Sequence, residues 1–214
     1  MRYRCHIRMA DGFQWQTRSA TGNSGNGMNY SQEELESLGL RHLGKEVQVH
    51  RSAMIYNAAK ISIGDYSRID CQTLLSAGEE GIDIGKCVHI AAGCFLFGGG
   101  GNICLEDYSG LSSRVTIYSA TDDYTEGYMT NPTVPDAVRK VTRGPVCLRK
   151  HAIVGAGSVI LPNVELRQAA AVGALTLVNK DVGEFEILVS RSAGSRVVGQ
   201  RGRHLLDLEK SLTE

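Results

Sequence analysis

The chain has 214 residues, 42% of them apolar and 21% charged, with 23 Lys+Arg balanced by 23 Asp+Glu. That size and balance describe a globular chain able to bury a core, and exclude a disordered one. No run approaches the roughly 18 apolar residues of a membrane span, and zero net charge excludes a broadly basic nucleic-acid binder.

Residues 1–48 read as an N-terminal segment. Residues 1–28 carry no period and include Ser19-Ala-Thr-Gly-Asn-Ser-Gly-Asn-Gly27, so poor order is expected. Ser31 followed by Glu34 forms a capping box, and Leu35 and Leu38 share a face, which predicts a short helix over 31–40. No apolar stretch follows the basic start, so a secretion signal is not expected and a cytoplasmic chain is. Six cysteines (Cys5, Cys71, Cys87, Cys94, Cys104, Cys147) form no CxxC pair and are expected to be reduced packing residues.

A period of six follows, over 49–182. It starts faintly at Val49, Ile55 and Ile61, then runs Ile63, Ile69, Leu75; Ile84, Ile90, Leu96; Leu105, Leu111, Ile117; and Leu148, Val154, Ile160, Leu166, Val172, Val178. All fifteen positions of the main run are Ile, Leu or Val, types that make up 49 of 214 residues, so chance would supply three or four. Four residues on, thirteen of fifteen positions are Ser, Thr, Ala, Val or Cys; Glu79 and Gly100 are the exceptions. Period six fits neither a helix nor a simple alternating strand. It fits short strands joined by corners, three hexads to a coil, each with one large inward residue and one small residue at a crowded bend. Stacked at about 4.8 Å, five such coils make a prism roughly 24 Å tall, and stability comes from stacking.

Extra residues recur after the third hexad of successive coils: 79–83, 98–102 and a long excursion over about 118–146. Equal phase predicts that they emerge at one corner, one above another, where function tends to sit. Residues 183–214 read as a C-terminal tail with a helix over His204–Leu212. The two terminal helices are candidates to cover the open ends of the stack. Residues 1–138 hold 11 basic and 16 acidic residues (−5), and 139–214 hold 12 and 7 (+5), so an anionic partner is expected along the C-terminal coils.

The hexads resemble those of the hexapeptide-repeat acyltransferases. The stretches Val154-Gly-Ala-Gly-Ser158 and Val172-Gly-Ala-Leu-Thr-Leu-Val-Asn-Lys-Asp181 sharpen the likeness to galactoside- and maltose-type O-acetyltransferases, over residues 30–200. The resemblance implies an all-β, left-handed parallel β-helix with a long inserted loop and short terminal helices. It also implies a homotrimer with sites between neighbouring prisms, acetyl-CoA as donor, and a sugar or sugar-nucleotide acceptor that attacks the thioester directly. No metal is expected.

The family's base is a histidine five residues after the last inward residue before the loop; here that position is Asp122, followed by Asp123. A carboxylate near pKa 4 is a poor base for a hydroxyl unless burial raises it. Three readings stand: Asp122 or Asp123 serves as base or positions the acceptor; His89 supplies the imidazole; or the acceptor is an amine that needs little help. Asp122 and His89 start from different faces of one prism, though a neighbouring chain could unite them. For the donor, the resemblance points to Ala156 and Ala174 along the pantetheine arm, with Asn179, Lys180 and Arg196 near the phosphates. Gly155 and Gly173 are assigned to the coil bend. The family's proline after Lys180 is missing from Val189–Arg196, and its acceptor-side asparagine and aspartate are unmatched in 91–102. The rival readings are an inactive binding scaffold that lost the loop histidine and a zinc enzyme needing three convergent histidines.

Overall fold

The computed structural model describes residues 28–212 except Ala193; apart from Met28, the order of residues 1–28 lies outside the described residues. The chain winds into a β-solenoid of six full coils and the start of a seventh. Each coil gives one short strand to each of three parallel sheets. The first face runs from His42–Leu43 through Ile61–Ile63, Ile82–Ile84, Ile103–Leu105 and Val146–Leu148 to Val164–Leu166. The second runs from Gln48–Val49 to Ala171–Val172, and the third from Met54–Tyr56 to Leu177–Val178. The first coil thus begins at His42, ahead of residue 49.

All fifteen inward positions are at most 4% exposed. They stack in register: Ile63 on Ile84 on Leu105 on Leu148 on Leu166, with equivalent columns on the other two faces. Each such side chain contributes about 1.5–3 kcal/mol of transfer free energy, which a single coil could not realise. Twelve of the fifteen small positions are also buried; Glu79, Gly100 and Thr121 are not. Those three stand where chain is inserted, and fully buried Ile82, Ile103 and Val146 fill the corner instead.

The bend itself was not legible. The third residue after the inward one is left-handed in coil after coil: Tyr66, Cys87, Tyr108, His151 and Ala169 at one corner have φ between 54° and 62°. Non-glycine residues tolerate that conformation only where surrounding structure enforces it. Here the stacked coils do so.

The insertions do stack at one corner, between the third and first faces. Asn102 Nδ2 donates to the Glu80 and Gly81 carbonyls at 3.0 and 3.2 Å, tying the second insertion to the first. The long excursion contains an antiparallel pair, Ala120–Asp122 with Val141–Arg143.

Helix α1 (Gln32–Ser37) has the expected capping box, Ser31 Oγ accepting from Glu34 N at 3.2 Å and Glu34 Oε2 from Ser31 N at 2.7 Å. Its Leu35 is 1% exposed in the core and covers the N-terminal end of the stack. Helix α2 (Leu205–Lys210) does not act as a lid: it buries no residue and docks sideways, through Glu209 on His151 Nε2 at 2.7 Å and on Lys150. The far end is closed instead by the C-terminal tail. Strand Glu186–Arg191 extends the second face and pairs with Gly194–Gln200, while Phe185, 1% exposed, lies under the Arg203 guanidinium.

The cysteines depart from expectation in part. Those described are free, but only Cys94 is buried; Cys104 and Cys147 face outward.

Candidate active site

The corner between the second and third faces forms a groove edge. Its successive coils present Ser113, Ala156 and Ala174, stacked by Gly157 N donating to the Ser113 carbonyl at 3.0 Å and Leu175 N to the Ala156 carbonyl at 2.8 Å. Both alanines are exposed, so a thin ligand can lie against backbone here. A Cβ on Gly155 would stand 2.4 Å from Ala174 N, so the stack itself excludes a side chain there. Beside this corner the second face holds a cleft lined by His89, Ala91, Gly110, Ser112, Ser113 and Ile153. Ser112 and Ser113 were not singled out in the sequence; the hydroxyl pair just after inward Leu111 was the available signal.

His89 leans on this cleft with its ring half exposed. Its Nε2 meets Asp70 Oδ2 at 2.9 Å, and Arg68 Nε donates to Asp70 Oδ1 at 2.6 Å. Burial pushes the Asp70 carboxyl up, but the hydrogen bonds from His89 and Arg68 outweigh it and hold the group below its ordinary value. The ring is thus fixed through one nitrogen by a carboxylate, an arrangement that sets the tautomer of the other.

Asp122 and Asp123 stand at the opposite edge of the third face, where the excursion leaves. Asp122 Oδ2 accepts from Asn131 N at 2.8 Å, and Arg139 Nη1 lies 3.6 Å from Oδ1; the carboxylate is one-quarter exposed. Asp123 is differently employed. Its Oδ1 accepts from Thr125 Oγ1 at 2.6 Å and Thr125 N at 2.9 Å, and Lys140 Nζ lies 3.1 Å from Oδ2. The Thr125 bonds and Lys140 hold its pKa down to about 2. A carboxylate so satisfied is a loop anchor and a poor proton acceptor. Within one chain, then, His89 and Asp122 lie on different faces and do not meet.

The C-terminal hairpin brings Arg196 to the alanine corner. Ser195 Oγ donates to the Leu177 carbonyl at 2.7 Å, and Ser190 N to Thr176 Oγ1 at 3.1 Å, which places exposed Arg196 close by the Ala174 coil. Asn179 and Lys180 are exposed just beyond Val178 on the same coil, at the far edge of the third face from Ala174. The missing proline does not prevent docking: β-pairing of 186–191 with 172 and 194–200 holds the tail. His151 lies at the corner between the first and second faces, stacked on Tyr108 and bonded to Glu209, and belongs to α2 docking. Among the described residues, no group of three convergent ligand side chains contains a histidine.

A coil stack with an exposed small-residue edge, cations at its end and a loop carboxylate has the parts of a hexapeptide-repeat acyltransferase. No family model matches the chain. It is 39% identical over 176 residues to a dTDP-4-amino-4,6-dideoxy-D-glucose acyltransferase of Escherichia coli, covering 82% of this chain and 90% of the relative. A mutant of an N-acyltransferase from Bacillus cereus, in complex with dTDP-4-amino-4,6-dideoxyglucose and coenzyme A, is 37% identical with a TM-score of 0.83, covering 87% of this chain and 97% of that one. The same enzyme has also been solved with dTDP and 3-hydroxybutyryl-CoA. A maltose O-acetyltransferase from Clostridium difficile 630, at 17% identity, TM-score 0.51 and 80% and 74% coverage, shares the fold alone. The chain belongs to the hexapeptide-repeat acyltransferase family and is an acyltransferase. Its strong likeness is to the sugar-nucleotide branch rather than to the maltose enzymes.

Proposed function

We propose that this enzyme moves the acyl group of an acyl-CoA to the amine of a dTDP-linked 4-amino-4,6-dideoxyhexose. The observation that carries the reading is the loop carboxylate Asp122 standing where an imidazole base would serve a hydroxyl acceptor. An amine attacks as its free base, so it needs a group that orients it and accepts a hydrogen bond, which a carboxylate does well. The relatives' substrates supply the same chemistry: dTDP-amino sugar and CoA in one complex. The nitrogen lone pair attacks the thioester carbonyl, the C–S bond breaks, and the sulfur leaves with the proton the nitrogen gives up. No covalent enzyme intermediate is formed.

In this reading the pantetheine arm follows the Ala156–Ala174 edge, and Arg196, Lys180 and Asn179 receive the phosphates. His89, Ser112 and Ser113 line the acceptor side. Assembly completes the site. The third face is mostly apolar outward: one register column reads Met54, Leu74, Phe95, Thr116, Val159, Leu177 and the next Tyr56, Ser76, Phe97, Tyr118. Such a face is what a neighbouring copy covers. It is flanked by the cleft edge on one side and the Asp122 loop on the other, so head-to-tail packing around a threefold axis sets one chain's loop beside its neighbour's cleft. Both substrates are metabolites of the cytoplasm, where we place the enzyme.

The test is thiol release from acetyl-CoA and longer acyl-CoAs with dTDP-4-amino-4,6-dideoxyglucose, beside dTDP-glucose as a hydroxyl acceptor. Release with the amine alone, and an amide in the product by mass spectrometry, is the expected result. Equal or faster transfer to the hydroxyl sugar would overturn the amine assignment, and no release with either would overturn the enzyme reading.

A further inference from the structure

The first face carries a second constellation, away from the groove. Its outward column reads His42, Ser62, Asp83, Cys104, Cys147, Glu165. Cys104 and Cys147 are register partners on adjacent strands, and their sulfurs and a Glu106 carboxylate oxygen all lie within 4.8 Å of one another. A concavity borders the group, lined also by Asp83, Asp107 and Lys150. Neither thiol packs the core.

In-register parallel strands project their side chains side by side, about 4.8 Å apart. A disulfide needs Cβ atoms about 3.5–4.5 Å apart and a sharply twisted link, which that geometry opposes. Tetrahedral coordination asks for something looser: sulfurs near 2.3 Å from a common ion stand about 3.8 Å from each other. We propose that Cys104, Cys147 and Glu106 bind a thiophilic divalent cation of the zinc and cadmium class, with one coordination position left for water. Glu106 Oε2 is held by Lys150 N at 3.0 Å, so Oε1, which accepts from Arg149 Nη1 at 2.7 Å, is the oxygen that turns to the ion. Arg149 keeps its other partner, Glu165. The thiol protons pass to solvent as the sulfurs coordinate.

The location gives the site a consequence. Cys104 lies in the coil before the long excursion and Cys147 on the strand that receives its return. An ion shared between them clasps the base of the loop that carries Asp122.

The test uses the reduced full chain, stripped with a chelator. Titration with Co²⁺ is expected to give a thiolate-to-cobalt charge-transfer band that saturates at one ion per chain and is displaced by Zn²⁺. Cys104→Ala and Cys147→Ala should each weaken binding at least about 100-fold and Glu106→Gln about 10-fold, while Cys71→Ala and Cys87→Ala leave it unchanged. Zn²⁺ should also shield Cys104 and Cys147 together from alkylation in the unsubstituted chain, read peptide by peptide in a mass spectrometer; this arm holds even if a cysteine variant fails to fold. No charge-transfer band at millimolar Co²⁺, a band that survives in both cysteine variants, or shielding of only one of the two sulfurs would overturn the proposal.

Discussion

Two adjacent aspartates of the same loop hold different offices because their partners differ. Asp123 is tied at both oxygens to Thr125 and Lys140, whereas Asp122 meets only a backbone amide and a more distant guanidinium. Asp122→Asn is therefore expected to lower kcat by about 10²-fold or more with little change in donor KM, measured by steady-state thiol release. Asp123→Asn should leave the chemistry less affected. Its folded pKa of about 2 lies below the ordinary value of 3.8, so its anchoring contribution is complete above the ordinary value and is lost as pH falls through about 2. The shape of the kcat profile between pH 5 and 8 should accordingly be the same in Asp123→Asn as in the unsubstituted enzyme. Neither distinction could be read from the sequence. The Asp122–Arg139 contact exists because the excursion doubles back as a hairpin, which six-residue periodicity does not report.

At the scale of elements, the hexad pattern translates directly: large residue inward, small residue at the corner, insertions at one corner. The reason is that a solenoid coil repeats one local environment, so chemistry and position stay in phase. What the pattern omits is the tail. Strands 186–191 and 194–200 carry no hexad phase; the first is recruited by the open edge of the second face after Ala171–Val172. The corner at Gly155 shows how tight the phase is. Gly155→Ala would set a Cβ 2.4 Å from Ala174 N and 2.7 Å from Gly173 C, both backbone atoms that give way only if the next coil shifts. A loss of about 1–3 kcal/mol is expected, seen as a melting temperature lowered by about 2–12 °C. Donor KM should rise as well, because the displaced coil is the one proposed to carry the pantetheine arm.

For the molecule as a whole, the three faces differ in kind. The first is polar and charged, the second carries Arg68 and His89, and the third is mostly apolar outward, with Tyr56 59% and Leu177 47% exposed. If the proposed trimer forms through that third face, charging it, as in Phe97→Glu with Leu177→Glu, is expected to give monomers in light scattering, to keep the β signature in circular dichroism, and to abolish turnover. An active monomer would contradict a shared site. The sequence by itself determined the coil, its core and the insertion corner, because each depends on contacts that repeat at fixed spacing. It also pointed to the +5 C-terminal third, where Lys180 and Arg196 lie on or beside the Ala174 coil. Only the tertiary structure decided which residues meet across unequal separations. Asp70 reaches His89 over 19 positions, and Cys104 reaches Cys147 over 43 because the excursion lies between them. Such distances follow from how much chain each insertion holds out of the stack, and that is a property of the folded coils rather than of the repeat.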